Sequence, residues 1–479
     1  MRVGPISEAP LVTAVFRHVG QGYHRWHVPA HKGRQIWPPG YRFLGSRVWA
    51  ADLTELPGLD DLHTPHGVIA QAQDLAARAL GAGKSFFLVN GASVGLQAAL
   101  LACCQPGDRV ILPRTAHQSV LAGVILAGAE PVYLSEAWQD DLGIPLGLAP
   151  DTLRQVLACE PPARVLLVLH PSFYGVVSPL APLAAMAHRR GLVVVADEAH
   201  GTHFAFHPEL PASALASGAD IAIHGFHKSG GALTQAAVLS VRQGFDPSRV
   251  EAALDCLQTT SPSYLLLASI DAARCALASQ GRARLERALE AAAWARKQLR
   301  QWPEFVILDE GMVGREAALD PLKMVLAAPG LGLSGRALAA ALRRRGRIQV
   351  ETYGWRHVVL VWSLADDMAQ ARHLVRVLHD LAGDYRAGRP RAPRAFPGPP
   401  PRPQVVMSPR EAFFASRRTL PLGQARGQVA AGFVVPYPPG FPVLAPGELI
   451  TGEIIAYLAE TRTLVPGLHG NLEKLPVVS

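Results

Sequence analysis

The residues of this chain that could do chemistry are concentrated in three short strings. Asp197-Glu198-Ala199-His200-Gly201 closes the apolar run Leu192–Ala196, and Lys228 stands 31 residues beyond Asp197. The lysine lies in His224-Gly225-Phe226-His227-Lys228-Ser229-Gly230-Gly231, after a further apolar run. Upstream, Asn90-Gly91-Ala92-Ser93 joins the run Phe86–Val89 to an Ala-rich segment. Taken singly, each string has a plainer structural reading: a helix cap, a loop carboxylate, a solvated lysine, hydrogen-bonded histidines. Taken in order they form a set. Glycine and serine at a helix start present backbone N–H groups to a phosphate. A lysine amine condenses with an aldehyde, and a strand-end carboxylate keeps a pyridine nitrogen protonated. His117, after the run Arg109–Leu112, is placed to stack on a ring face. Phosphate, aldehyde and pyridine are the parts of pyridoxal 5′-phosphate (PLP), and the set predicts a site for it.

The elements that must position these groups follow from periodicity. Between about residues 80 and 245, short apolar runs alternate with Ala-rich segments of helical period. Phe86–Val89, Arg109–Leu112, Pro131–Leu134, Val165–His170, Leu192–Ala196 and Asp220–His224 read as strands. Ser93–Cys104, Gln118–Ala127, Pro150–Ala158 and Leu180–Arg190 read as helices between them. Such repetition implies βα units, a mostly parallel sheet, and ligands outside the carboxyl ends of the strands. A long helix is expected over Gln280–Gln301, then a smaller α/β region. Gly388–Pro403 holds seven prolines and reads as a semi-rigid linker. The expected divisions are an N-terminal arm and entrance segment (1–60), a cofactor-binding large domain (61–280), and a helix with a small α/β region (281–387). The linker (388–403) and a C-terminal α+β domain (404–479) complete them.

Composition excludes several classes. At 479 residues, 49% hydrophobic and 18% charged, the chain has ample apolar material for a large core. The net charge of +8 comes from six lysines and 40 arginines that are scattered, with no basic run interleaved with aromatics, so nucleic acid is not an expected partner. Five cysteines without a CxxC pair argue against a disulfide framework and a zinc site, and no metal is expected. A long uncharged stretch, Ser85–Gly107, is too polar for a membrane span. No basic-then-apolar leader pattern opens the chain, and the expected location is the cytoplasm.

Having these residues in view, the chain resembles the bacterial Orn/Lys/Arg decarboxylases of PLP fold type I, in the short form that lacks the N-terminal wing domain. The resemblance runs from His27-Val28-Pro29-Ala30-His31-Lys32-Gly33 and the block Asp52–His63 through Asn90–Ser93, Asp197–Gly201, His227-Lys228, Leu233-Thr234-Gln235 and Thr259–Tyr264. It ends with Ser408-Pro409-Arg410-Glu411-Ala412-Phe413-Phe414 and Pro436–Glu448, so it covers nearly the whole chain. It implies that Lys228 is the PLP lysine, Asp197 the pyridinium partner and His117 the stacking group. It implies too that His200 faces the cofactor, that His227 approaches the phosphate or the substrate, and that Gly91, Ala92 and Ser93 hold the phosphate. Glu351, His31 and Tyr264 are the substrate-side candidates, and a homodimer or a dimer of dimers is expected. The implied reaction is decarboxylation of a basic amino acid, arginine ahead of lysine and ornithine, giving CO₂ and a polyamine precursor.

Six residues depart from the family pattern. Gly225-Phe226 stand where a Ser-Thr or Ser-x pair is usual, Gln118 replaces a lysine, Ala92 a hydroxyl residue, Phe173 a tyrosine and Arg347 a glycine. Two lost phosphate-facing hydroxyls predict weaker cofactor retention, by roughly 1 kcal/mol each. Two other readings stay open at this level: a decarboxylase-like binding protein that has lost turnover, and another fold type I enzyme such as an aminotransferase.

Overall fold

The computed structural model describes residues 7–38, 44–159, 162–386, 398–436, 440–464 and 473–479. Packing divides the chain into two compact units, residues 1–102 with 195–284 and residues 103–194 with 285–479. Of the Pro-rich linker, residues 388–397 lie outside the described residues, as do residues 437–439 of the 436–448 loop.

In the first unit the strands Lys84–Leu88, Ala237–Val241 and Ile221–His224 are successive neighbours, followed by Val193–Glu198. The last pair is parallel, with Val195 opposite Ile221 and Glu198 opposite His224. The other two pairings are antiparallel. Ile221–His224 and Ala237–Val241 are buried at every position. Burial on both faces is why neither shows an alternating apolar and polar pattern. The helix Gly91–Cys103 packs closely here because Gly95 has no side chain: a β-carbon would come 2.7 Å from Leu88 Cδ1 and 3.1 Å from Ile223 Cγ2. Asp271 and Arg274, both fully buried in the long helix Tyr264–Leu299, pair with each other. Asp271 Oδ2 also accepts the Leu11 N–H (3.0 Å), and Arg274 donates to the Glu8 carbonyl, so the pair secures the start of the helix Pro10–Gly20.

In the second unit, Arg109–Pro113 runs parallel to both Glu130–Leu134 and Val165–Leu169. A separate antiparallel sheet has the order Val306–Ile307, Lys323–Ala327, His357–Val361, Thr352–Tyr353, accompanied by the helices Gly335–Gly346 and Met368–Arg386. Toward the C-terminus, Arg417–Pro421 pairs antiparallel with Lys474–Val478. Together with the helix Gly452–Leu464 they enclose a core of their own that includes Leu422, Val443, Ile450 and Leu458.

Two elements differ from the sequence expectation. Ala237–Val241 is a strand where none was expected, and its antiparallel pairings interrupt the parallel pattern. The long helix begins at Tyr264 and not at Gln280: its first turns bury Tyr264, Leu267, Ile270 and Leu277 on one face, but Asp271 and Arg274 lie in that same stripe and break its apolar pattern.

Arg347, at a position where glycine is usual, caps the helix Gly335–Gly346 in the left-handed region (φ 52°). Its side chain is exposed. Left-handed backbone costs a residue bearing a β-carbon about 1 kcal/mol. Arg347→Gly is therefore expected to raise stability by about that amount, read as a higher midpoint in thermal denaturation followed by circular dichroism.

Candidate active site

Lys228 sits in a single π-helical turn, Phe226–Gly230, immediately after the strand Ile221–His224. Its Nζ is 3.0 Å from His200 Nε2. A lysine ammonium has only protons to give, so Nε2 accepts and His200 carries its own proton on Nδ1. Asp197 lies in the last turn of the neighbouring strand, 8% exposed, where its Oδ1 accepts the Ala199 N–H (3.1 Å). Parallel pairing in register is what sets these loops side by side.

The approach of the two loops depends on Gly225. A β-carbon there would fall 2.6 Å from the Ala199 carbonyl oxygen and 3.3 Å from Lys228 Cδ. The Asp197–His200 loop thus packs directly against the lysine turn, with no space for a side chain at 225. Beneath the rim, Glu198 Oε2 lies 3.3 Å from His224 Nδ1, and its Oε1 accepts the Ala214 N–H (2.9 Å). Burial drives Glu198 well above the carboxylate range and His224 down to about 3, so it opposes charge on both. Ser229 Oγ, beside Lys228, is buried without a hydrogen-bond partner.

His227 is turned toward its own loop: Nδ1 is 3.1 Å from the Ala236 carbonyl and so carries the proton, leaving the Nε2 lone pair open. Gly91 opens its helix in the left-handed region (φ 80°), and a β-carbon on it would lie 3.8 Å from Gln235 O, in the segment that follows Lys228. Gln258 braces the approach to this turn, accepting the Val89 N–H (3.1 Å) and donating to Phe87 O (3.3 Å), while Asn90 Oδ1 accepts the Thr259 N–H (3.3 Å). Ala92 and Ser93 occupy the first helical turn, both partly exposed.

The two remaining candidates of this unit stand elsewhere in its contact network. His31 bonds Asp52 (3.1 Å) and meets Trp49 edge-on. Tyr264 is fully buried and donates to Asp60 O (2.5 Å). Asp60 is itself held by the N–H groups of His66, Gly67, Ile69 and Ala70. Burial opposes its charge, but these donors prevail and keep it below the usual carboxylate range.

In the second unit His117 is the N-cap of the helix Gln118–Ala127. Its Nδ1 accepts the Ser119 N–H (3.2 Å) and lies 2.7 Å from Ser119 Oγ. The neutral ring therefore carries its proton on Nε2. Glu351 is exposed, in the segment leading into the strand Thr352–Tyr353. The aromatic ring of Phe173 lies under the Lys323 ammonium (5.3 Å to the centroid), a contact that needs no hydroxyl. Glu136 escaped the sequence reading. It bonds the Thr115 hydroxyl (2.5 Å), two residues before His117, and burial pushes it up to about 7. No motif marks a lone buried carboxyl, and only its strand-end position, after Glu130–Leu134, hinted at it.

Over nearly its whole length the chain is similar to known proteins. Residues 9–311 match the Orn/Lys/Arg decarboxylase major domain and residues 394–474 the C-terminal domain of the same family. An arginine decarboxylase of Bacillus subtilis is 38% identical over 455 residues, 94% of this chain and 93% of that protein. Lysine decarboxylase A from Pseudomonas aeruginosa superposes with a TM-score of 0.84 at 23% identity, covering 98% of this chain and 80% of that one. An alanine–glyoxylate aminotransferase from Nostoc superposes with a TM-score of 0.56 at 16% identity, over 69% of this chain and 89% of that one. The fold is that of the fold type I enzymes, and the chain belongs to the Orn/Lys/Arg decarboxylase family. It is a decarboxylase of basic amino acids. Among the described residues no helix is long and apolar enough to cross a membrane.

Because the Ala199 carbonyl occupies the space a side chain at 225 would need, Gly225→Ser should not restore the usual hydroxyl to the site. It is expected to destabilise the protein by about 1–3 kcal/mol, seen as a lowered thermal midpoint.

Proposed function

We propose that this protein decarboxylates arginine, with PLP as its cofactor. The observation that carries the reading is the strand-end pairing that leaves Lys228 Nζ exposed beside His200 and next to the strand of Asp197. The residues fit the group. An amine at a strand end, a buried carboxylate on the adjacent strand, a left-handed glycine opening a helix and the unpartnered Ser229 hydroxyl are the donors and acceptors that PLP requires.

When bound, PLP supplies an aldehyde for amines and a protonated ring that takes up the electron pair released as CO₂ departs. Lys228 would hold the aldehyde carbon and Asp197 the ring nitrogen, with the backbone N–H groups of Gly91, Ala92 and Ser93 on the phosphate. His117 is proposed to lie against the ring face, its Nδ1 already committed to Ser119. His200 keeps the lysine amine oriented, and the free Nε2 of His227 can pass a proton at the edge of the lysine turn. Glu351, exposed and anionic, is the proposed partner of the substrate's cationic end, with His31 and Tyr264 shaping the substrate side. Arginine is preferred over lysine and ornithine because four relatives at 35–38% identity are arginine decarboxylases.

Phe16, Tyr23, Trp26 and Ile36 are exposed on the N-terminal segment. Apolar surface of this kind supports a second copy of the chain as a partner, in a homodimer or a dimer of dimers. The cytoplasm is the proposed compartment.

With added PLP, the protein is expected to release CO₂ and amine from arginine at least about tenfold faster than from lysine or ornithine. Lys228→Ala should lower that rate by about a thousandfold or more. Release from lysine or ornithine alone would replace the substrate, and release from none would overturn the activity.

A further inference from the structure

Two strings near the C-terminus, Ser408–Phe414 and Pro436–Glu448, have no part in the site as built so far. Both grip the segment that carries His117. Arg410 donates from Nη1 to the carbonyls of Ile125 (3.1 Å) and Leu126 (2.9 Å), in the last turn of the helix Gln118–Ala127. Ile125 O already accepts the Gly128 N–H that closes the helix (3.2 Å), and a guanidinium there also meets the negative end of the helix dipole. Arg410 reaches them across Gly128, where a β-carbon would stand 3.4 Å from its Cδ.

At the other end of the segment, Arg114 follows the strand Arg109–Pro113. It is held by both oxygens of Glu448 (2.5 and 2.9 Å) and donates to Val443 O (2.8 Å). Glu448 is 1% exposed and accepts the Ala445 N–H as well (2.7 Å), so the 443–448 loop closes around the guanidinium. The Arg114 guanidinium lies over the Tyr133 ring, 4.6 Å from its centroid. A paired, hydrogen-bonded charge at this depth holds one geometry. Between the two grips lie only Thr115, Ala116, His117 and the helix itself. His117 is tied to that helix as its N-cap, through Ser119.

We propose that the C-terminal domain is a clamp that sets the position of His117, with Arg410 and Glu448 as its positioning residues. The clamp rests on the reading of His117 as the group against the cofactor ring. It gives the C-terminal domain a task that its distance in sequence conceals: Glu448 is 334 residues from Arg114.

The test uses the full chain, with PLP as the probe and its visible absorbance as the readout. Arg410 is exposed, so Arg410→Met should fold, which circular dichroism can verify. The expected result is PLP affinity weakened about five- to tenfold, with a shifted absorbance band, and substantial recovery in Arg410→Lys. In a His117→Ala background, Arg410→Met should weaken PLP no further, since the group it positions is gone. Unchanged affinity and band in Arg410→Met, or losses that multiply in the double variant, would overturn the clamp alone. A wild-type chain that takes up no PLP would overturn both the clamp and the reading of the site on which it rests.

Discussion

Two buried strands paired in parallel, Val193–Glu198 and Ile221–His224, impose the constraint on which the rest of the site depends. Parallel register carries both chains to the same rim, and what leaves that rim is Asp197 on one strand and the lysine turn after the other. The loops then approach so closely that Gly225 faces the Ala199 carbonyl with no space for a β-carbon. Lys228 reaches His200 because of this approach. The chemistry is thus held by backbone packing first and by side-chain hydrogen bonds second.

The same packing sets the electrostatics. Glu198 and His224, opposite each other in the register, are so deeply buried that burial opposes charge on both, raising the carboxyl and lowering the imidazole. Asp197 and Lys228 stand above them at the rim. In the second unit the logic is reversed: the Arg114–Glu448 pair is buried as a charged couple, and extra bonds from Ala445 and to Val443 offset the cost of removing it from water.

Much of this was legible in the sequence because the site is local. Strand, then Asp197; strand, then Lys228; strand, then Gly91: each needs only an apolar run and the residues just past it. The helix Gln118–Ala127 falls at the expected residues because its cap and its closing glycine flank it directly. What escaped is non-local or lacks periodicity. Ala237–Val241 follows the lysine loop as a short run of small and branched residues, and nothing in it announces an antiparallel partner. The first turns of Tyr264–Leu299 bury Asp271 and Arg274 in the same stripe as Leu267 and Ile270, and that charge hides the stripe from a reading of apolar period. Glu136 and the Arg410 and Glu448 contacts join residues that only the folded chain brings together.

The chemistry of the site turns on one lysine out of six in the chain. Treating the PLP-loaded protein with borohydride fixes the cofactor to whichever lysine holds it, and tandem mass spectrometry of a digest then locates the added mass. The prediction is one adduct, on the peptide containing Lys228. An adduct at Lys32, Lys84, Lys297, Lys323 or Lys474 in its place, or none at all, would contradict it.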